Sequence, residues 1–299
     1  MTNVGIDKER MEAVTSSRPT KRFKDFMSKL WKHRKGKAGL IILFGLVIFA
    51  LIGHFAAPYN PLANNAAAFQ PPSHAHLLGT DYIGQDILSW FMVGTGTSLV
   101  VGFTIAILSA LIGVTVGVIA GYFGGKIDDV LMRAVDVLLV IPGFPLLVIL
   151  QTFLPPTLET TVLILSILGW PFLARVIRSQ TLTLKERQYV LASKLSGLSG
   201  MQIIFRDIIP MLIPIITINA IFIAVGGVVA QAGLAFFGLG DLRSVNWGTE
   251  LYYFFNQDGI AYKAWWWLLP PGIGIIILGL GANFLSNGIF ETTKPQKGG

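Results

Sequence analysis

The sequence predicts an all-α polytopic membrane protein with six transmembrane helices. Three observations carry that reading. The 299 residues are 53% hydrophobic and only 13% charged, whereas a soluble domain is about one quarter charged. Six windows, 39–57, 93–122, 132–154, 159–177, 210–238 and 266–290, approach or exceed the roughly 20 apolar residues that cross a bilayer as a helix. None of them alternates in the short strands of a β-barrel, and a lipid-embedded backbone must bond within its own segment.

Residues 1–38 form a basic tail. It is too long and too charged before its first apolar run for a cleaved secretory signal. Phe23, Phe26, Met27, Leu30 and Trp31 follow helical spacing among six lysines and arginines between Lys24 and Lys37. That pattern suits an amphipathic helix on an anionic inner leaflet. The six-span body then runs over 39–292, with a short tail over 293–299.

After the first span comes a loop over 58–92, rich in proline and histidine, ending in "HLLGTDYIGQDILSW". Its His74 and His76 lack a third ligand, so they read as solvated loop residues rather than a metal pair. The second span is uncharged from Asp86 to Lys126, and Gly113, Gly117 and Gly121 recur at every fourth position. Such a stripe lets a neighbouring helix approach closely. In "GYFGGKIDDVLMRAVDVLLVIPGFP", Asp129 and Arg133 stand four apart and can pair on one helical face, while Pro142 and Pro145 should bend the third span. The fourth span, "ETTVLILSILGWPFLARVIR", is short and contains Pro171.

A polar insert over 179–210 separates the fourth and fifth spans. Leu184, Leu191 and Leu195 share one helical face, "SGLSG" breaks the helix, and Met201, Ile204, Phe205 and Ile208 mark the face of a second short helix before Pro210. The loop over 239–265 is aromatic and leads into Trp265 to Trp267, read as an interfacial belt. Its Tyr252, Tyr253, Phe254 and Phe255 read either as part of such an anchor or as contacts of another protein or the solute.

Charge sets the orientation. Eleven of the 23 lysines and arginines lie in residues 1–37, and with both termini cytoplasmic only Arg243 and Lys263 fall outside. The net charge of +7 therefore belongs to topology and not to nucleic-acid binding. There is no cysteine, hence no disulfide or thiolate site. No phosphate loop, H-E-x-x-H or G-x-S-x-G occurs, which leaves no catalytic residue and no cofactor of its own to expect. An ion-coupled carrier would place ionisable groups in mid-membrane. Only Asp136, His54 and Glu159 come near, all toward helix ends, so energy should come from outside the chain.

The spacing of Ala192, Gly197 and Pro210 resembles the E-A-A-x3-G-x9-I-x-L-P signature of ATP-binding-cassette importer permeases. "GTDYIGQD", "GYFGGKIDDVLMRAVD", "GLAFFGLGDLRSVNWG" and "WWWLLPPG" resemble segments of the second permease subunit of the dipeptide/oligopeptide family. Leu191 and Ser193 stand where the signature has Glu and Ala, and Asp207 and Ile209 replace its Ile and Leu. The resemblance implies a type I importer permease fold in a prokaryotic cell membrane. It implies a homologous second permease, an extracellular solute-binding protein, and two cytoplasmic ATPase subunits that bind ATP and Mg. It places a coupling loop at Tyr189, Ala192, Ser193, Lys194, Gly197, Arg206 and Pro210. Asp129, Arg133 and Asp136 become inner-gate or structural charges, and Asp81, Trp247, Tyr252 and Tyr253 candidate contacts of the binding protein. Peptides are the family's default cargo; oligosaccharides, nickel and opines travel on the same scaffold. The rival classes are a secondary carrier and a non-transporting assembly protein.

Overall fold

The computed structural model describes residues 19–64 and 66–293. Among these there is no strand, only one isolated bridge between Thr80 and Asp86. The helices are α1 Pro19–Lys32, α2 Arg34–Ala56, α3 Ile87–Phe123, α4 Gly125–Val140, α5 Gly143–Thr152, α6 Leu158–Lys185, α7 Gln188–Leu195, α8 Gly200–Ile203, α9 Ile209–Phe236, α10 Trp247–Asn256 and α11 Trp265–Thr293. A π-helical turn, Ile204–Ile208, joins α8 to α9.

The long helix α3 sits in the middle of the bundle. Asp86 caps it by accepting the Ser89 N–H at 2.7 Å, and Gly124, at φ +66°, closes it. The glycine stripe does what its spacing promises. A Cβ at Gly117 would lie 2.5 Å from the Ala174 carbonyl oxygen and 2.8 Å from the Ile177 Cβ. Gly113 likewise faces Trp170 and Leu173, and Gly121 faces Arg178 and Thr181. Residue numbers rise together on the two helices, so α3 and α6 run parallel.

Parallel neighbours require the chain between them to cross back, and α4 with α5 does so. Five helices are long and apolar enough to span a bilayer alone; the α4–α5 pair, bent by 85°, supplies the sixth crossing. The bend lies at Pro142, which holds Ile141 extended at ψ 127°. Pro145 does not contribute, because it sits in the first turn of α5, where an N–H has no partner to lose.

The fourth span is longer than its apolar window. Thr157 and Thr160 form a capping box at its start, and the helix continues to Lys185 with Pro171 buried inside it. The second helix of the insert is no separate element. It runs through the π turn into α9, with the Ile209 N–H donating to the Ile204 carbonyl. Pro210 has no N–H, so the carbonyl four residues back loses its usual donor, and the wider turn precedes that defect. The turn also changes the buried face. Ile203, Ile204 and Ile208 are buried with Leu212, while Met201 and Phe205 point outward.

α1 is helical as its spacing predicts. Leu30 is buried, Trp31 is half exposed, and the Lys37 Nζ lies 5.4 Å from the Trp31 ring centre. Residues 1–18 and 294–299 of the two tails lie outside the described residues.

Candidate functional site

Two ends of the bundle carry polar structure, an elbow over 186–199 and a cap built from 57–86 and 238–265. At the elbow, α7 ends in a Schellman motif. The Leu198 N–H donates to the Ser193 carbonyl at 3.2 Å and the Gly197 N–H to that of Lys194 at 3.0 Å. Gly197 takes φ +79°, and nothing lies within 4 Å of where its Cβ would be. Two residues later Ser199 and Gln202 form a capping box, the Ser199 N–H donating to Gln202 Oε1 at 2.8 Å. "SGLSG" thus stops one helix and starts the next with its polar groups bonded.

The elbow is fastened at its root. Val190 is fully buried among Val118, Ile177 and Ile208. The Lys194 Nζ sits 5.6 Å from the Tyr122 ring centre, and the Lys185 Nζ donates to the Gly121 carbonyl at 3.0 Å. The tip is bare: Leu195 is 91% exposed, and Tyr189, Leu191, Met201 and Phe205 are exposed with it. The shared face of Leu184, Leu191 and Leu195 is therefore not the packed one. Leu184 lies at the end of α6 against the core, and Val190 is what α7 buries. Ala192 and Lys194 are exposed on α7, and Ser193 is half-buried. Arg206 is exposed in the π turn, its Nε 4.0 Å from Asp207, and exposed Pro210 opens α9.

Beside the elbow, charges tie the broken span to α6. Arg178 grips Asp128 with two bonds, Nε to Oδ1 at 2.5 Å and the terminal nitrogen to Oδ2 at 2.6 Å. Arg175 donates to Asp136. Asp129 and Arg133, expected to pair with each other, form no ion pair among the described residues and face outward. Tyr122, Asp128, Arg175 and Arg178 were not among the expected site residues. Three-residue spacing of the arginines, against aspartates two turns apart, was the available signal.

The cap explains the "GTDYIGQD" segment. Thr80 Oγ1 donates to the Ala67 carbonyl at 2.7 Å. Asp81 Oδ1 accepts the N–H groups of Ile83 at 3.0 Å and Gln85 at 2.7 Å. His76 is buried, not solvated, with its Nδ1 2.8 Å from Asp86 Oδ2, whereas His74 is exposed. No group of three or more His, Asp or Glu suited to a metal occurs among the described residues.

Asp81 and Trp247 cannot be surface contacts for a binding protein. Asp81 is 5% exposed and Trp247 is completely buried, its Nε1 donating to Thr95 Oγ1 at 3.2 Å. Tyr253 is half-buried, its hydroxyl donating to the Leu242 carbonyl at 2.9 Å, and Tyr252 stands beside it partly exposed. Trp267 is core, with Tyr82 stacked on it at 5.8 Å; of the three tryptophans only Trp265 is well exposed. Burial pushes the Asp81 carboxyl up to about 6, against the pull of backbone N–H groups from Gln85, Ile83 and Gly84. Burial, then the charge of Asp81, raises Glu250 well above the usual carboxylate range.

Comparison with known proteins adds two family matches and three relatives. Residues 113–295 match a family model described as "Binding-protein-dependent transport system inner membrane component". Residues 21–72 match one described as the N-terminal TM domain of oligopeptide transport permease C. The chain is 32% identical to the dipeptide transport system permease protein DppC of Bacillus subtilis, covering 95% of this chain and 89% of that one. It is 31% identical to the oligopeptide transport system permease protein OppC of the same organism, over 92% and 90%. It is 34% identical to the OppC of Mycobacterium tuberculosis, over 86% and 88%.

Proposed function

The chain belongs to the family of binding-protein-dependent transport inner-membrane components, and from that premise we propose that it is one permease subunit of an ATP-driven importer of di- or oligopeptides. It works in a prokaryotic cell membrane beside a homologous second permease, the two forming the translocation path. An extracellular solute-binding protein delivers cargo at the cap end, and two ATPase subunits holding ATP and Mg act at the elbow end, which faces the cytoplasm. The peptide assignment follows the names of the relatives; cargo choice lies largely with the binding protein.

The observation that carries the reading is the contrast within α7, where Leu195 is 91% exposed while Val190, five residues earlier, is 0% exposed. A helix so rigidly capped and so deeply rooted, yet apolar at its tip, suits insertion into a cleft of another protein. Closure of the ATPases on ATP then displaces the elbow as a body. Val190 and Ile203 to Ile208 pass the displacement to α3, α6 and α9, and the bundle switches access. The Arg178–Asp128 and Arg175–Asp136 pairs make α4 follow α6 during that movement. On the same side α1 lies on anionic lipid.

The absence of cysteine makes the test direct. A Leu195→Cys chain carries a single thiol, which takes an environment-sensitive fluorophore. Adding the ATPase subunits to the paired permeases should shift its emission to the blue and shield it from aqueous quencher. A complex that assembles and imports peptide on ATP while the label stays fully quenchable would refute docking at α7.

A further inference from the structure

The cap contains a carboxyl group that the coupling scheme does not use. Glu250, in the first turn of α10, is 2% exposed, and neither carboxyl oxygen has a hydrogen-bond partner. It borders a gap of about 10 Å³, together with Asp81, Gln85, Asp86, Trp90 and Tyr253. The Trp90 indole N–H, on the same gap, is also buried without an acceptor. A gap of this size is roughly the least that one water needs.

Among the described residues no cation borders the gap. Asp86 is committed to Ser89 and His76, and the Gln85 amide to Asn64 at 3.2 Å. A buried carboxylate with no cation beside it and neither oxygen hydrogen-bonded is strongly disfavoured against its protonated form. We propose that Glu250 is a proton-binding site whose carboxyl, with one water held by the Trp90 N–H, clasps the first cap loop to α10 and makes the cap pH-sensitive. The protonated carboxyl adds an O–H donor to a gap where the free donor is the Trp90 N–H.

The sign follows from the raised pKa values of the two carboxyls in the folded cap. Both acids bind a proton more tightly when the cap is closed, so closure is most favoured below the ordinary carboxylate range and weakens as pH rises. Asp81 contributes between its ordinary 3.8 and about 6; above that the dependence belongs to Glu250. The other titratable groups facing the gap are Asp86, with His76 behind it, and Tyr253; Tyr82 and Tyr252 lie next to Tyr253. Burial moves Tyr82 and Tyr253 upward from 10, away from this range. From α3 and α11 the gap meets only uncharged side chains, Trp90 and Trp267 among them.

The test is hydrogen exchange of the full chain in lipid nanodiscs, read on the 76–92 and 246–257 amides after correction for intrinsic rates. A His76→Gln background keeps a donor for Asp86 and removes the imidazole's titration. Above about 6, where Asp81 has titrated, cap opening should rise with pH by up to about ten-fold per unit, the slope of one linked proton, until Glu250 ionises in the closed cap. Glu250→Gln, which keeps the volume and a donor but cannot ionise, should stay protected with a flat profile. An unchanged slope in Glu250→Gln, or loss of its protection already at the acid end, would overturn the proposal. Should that variant not fold, the unsubstituted chain decides by infrared spectroscopy. A protonated-carboxyl C=O stretch at the acid end that fades as pH rises supports the site, and its absence there overturns it.

Discussion

Replacing Gly197 separates the shape of the elbow from its contacts. The position has φ +79°, and among the described residues nothing beyond its chain neighbours lies within 4 Å of a Cβ placed there. Within this chain a substitution therefore acts through backbone strain alone. An L-residue held in the left-handed region costs about 1–2 kcal/mol, and a β-branched one costs more because its side chain crowds the following carbonyl. The Schellman bonds at 3.0 and 3.2 Å depend on that conformation, so Gly197→Val should splay α7 from α8 while leaving the bundle intact. Gly197→Asn tolerates the left-handed region and should keep the elbow's shape while adding bulk. The assay is peptide-stimulated ATP hydrolysis and uptake in proteoliposomes, with thermal stability of the isolated chain alongside. If shape is what matters, Val loses coupling and Asn retains most of it; if the ATPase cleft closes tightly over the tip, both lose it. Normal ATP-driven uptake by Gly197→Val would refute the coupling role of the elbow.

Other substitutions test the rest of the framework. Gly117→Ala places a methyl 2.5 Å from the Ala174 carbonyl oxygen and should destabilise by about 1–3 kcal/mol; Gly226→Ala, with nothing within 4 Å, should be neutral in the same melting assay. Arg178→Ala removes both bonds to Asp128 and should cost about 1–3 kcal/mol, with the charge-swapped double variant recovering uptake if the pair only fastens α4 to α6. Trp247→Ala should cost about 3–5 kcal/mol and lower folded yield, because Trp247 is core. Tyr252→Ala, at the partly exposed edge, should instead be read in binding-protein affinity with little change in melting.

Much of the membrane architecture was legible because its causes are local. Apolar length marks a span, glycine at every fourth position marks a close crossing, and Pro142 marks a break. Gly197 was legible for the same reason, since only a left-handed residue ends α7 in this way. What could not be read depends on partners distant in sequence. Arg178 and Asp128 are 50 residues apart, and the nearer candidate, Asp129 with Arg133, drew the eye to the outward face. The outward turn of Met201 and Phe205 follows from a π turn that shifts the helical period, which no 3.6-residue pattern anticipates. Asp81 and Trp247 looked like surface residues because they lie between spans. They are buried because two distant loops fold onto each other, with Trp266 Nε1 donating to the Thr80 carbonyl at 3.3 Å across 186 residues.

The join of α8, π turn and α9 makes one rod from Gly200 to Phe236, 37 residues without an interruption. At 1.5 Å per residue it is roughly 55 Å long, so tilting it by about 5° at one end moves the other by about 5 Å. Its far end is not free: Gln231 Nε2 donates to Asn246 Oδ1 at 3.0 Å, and Asn246 caps α10. The two faces of the membrane are thus geared together by a single stiff member. In the proposed importer, delay between nucleotide events on one side and cargo handover on the other would then have to arise in the partner subunits or at the π turn before Pro210, where the rod departs from the α-helix.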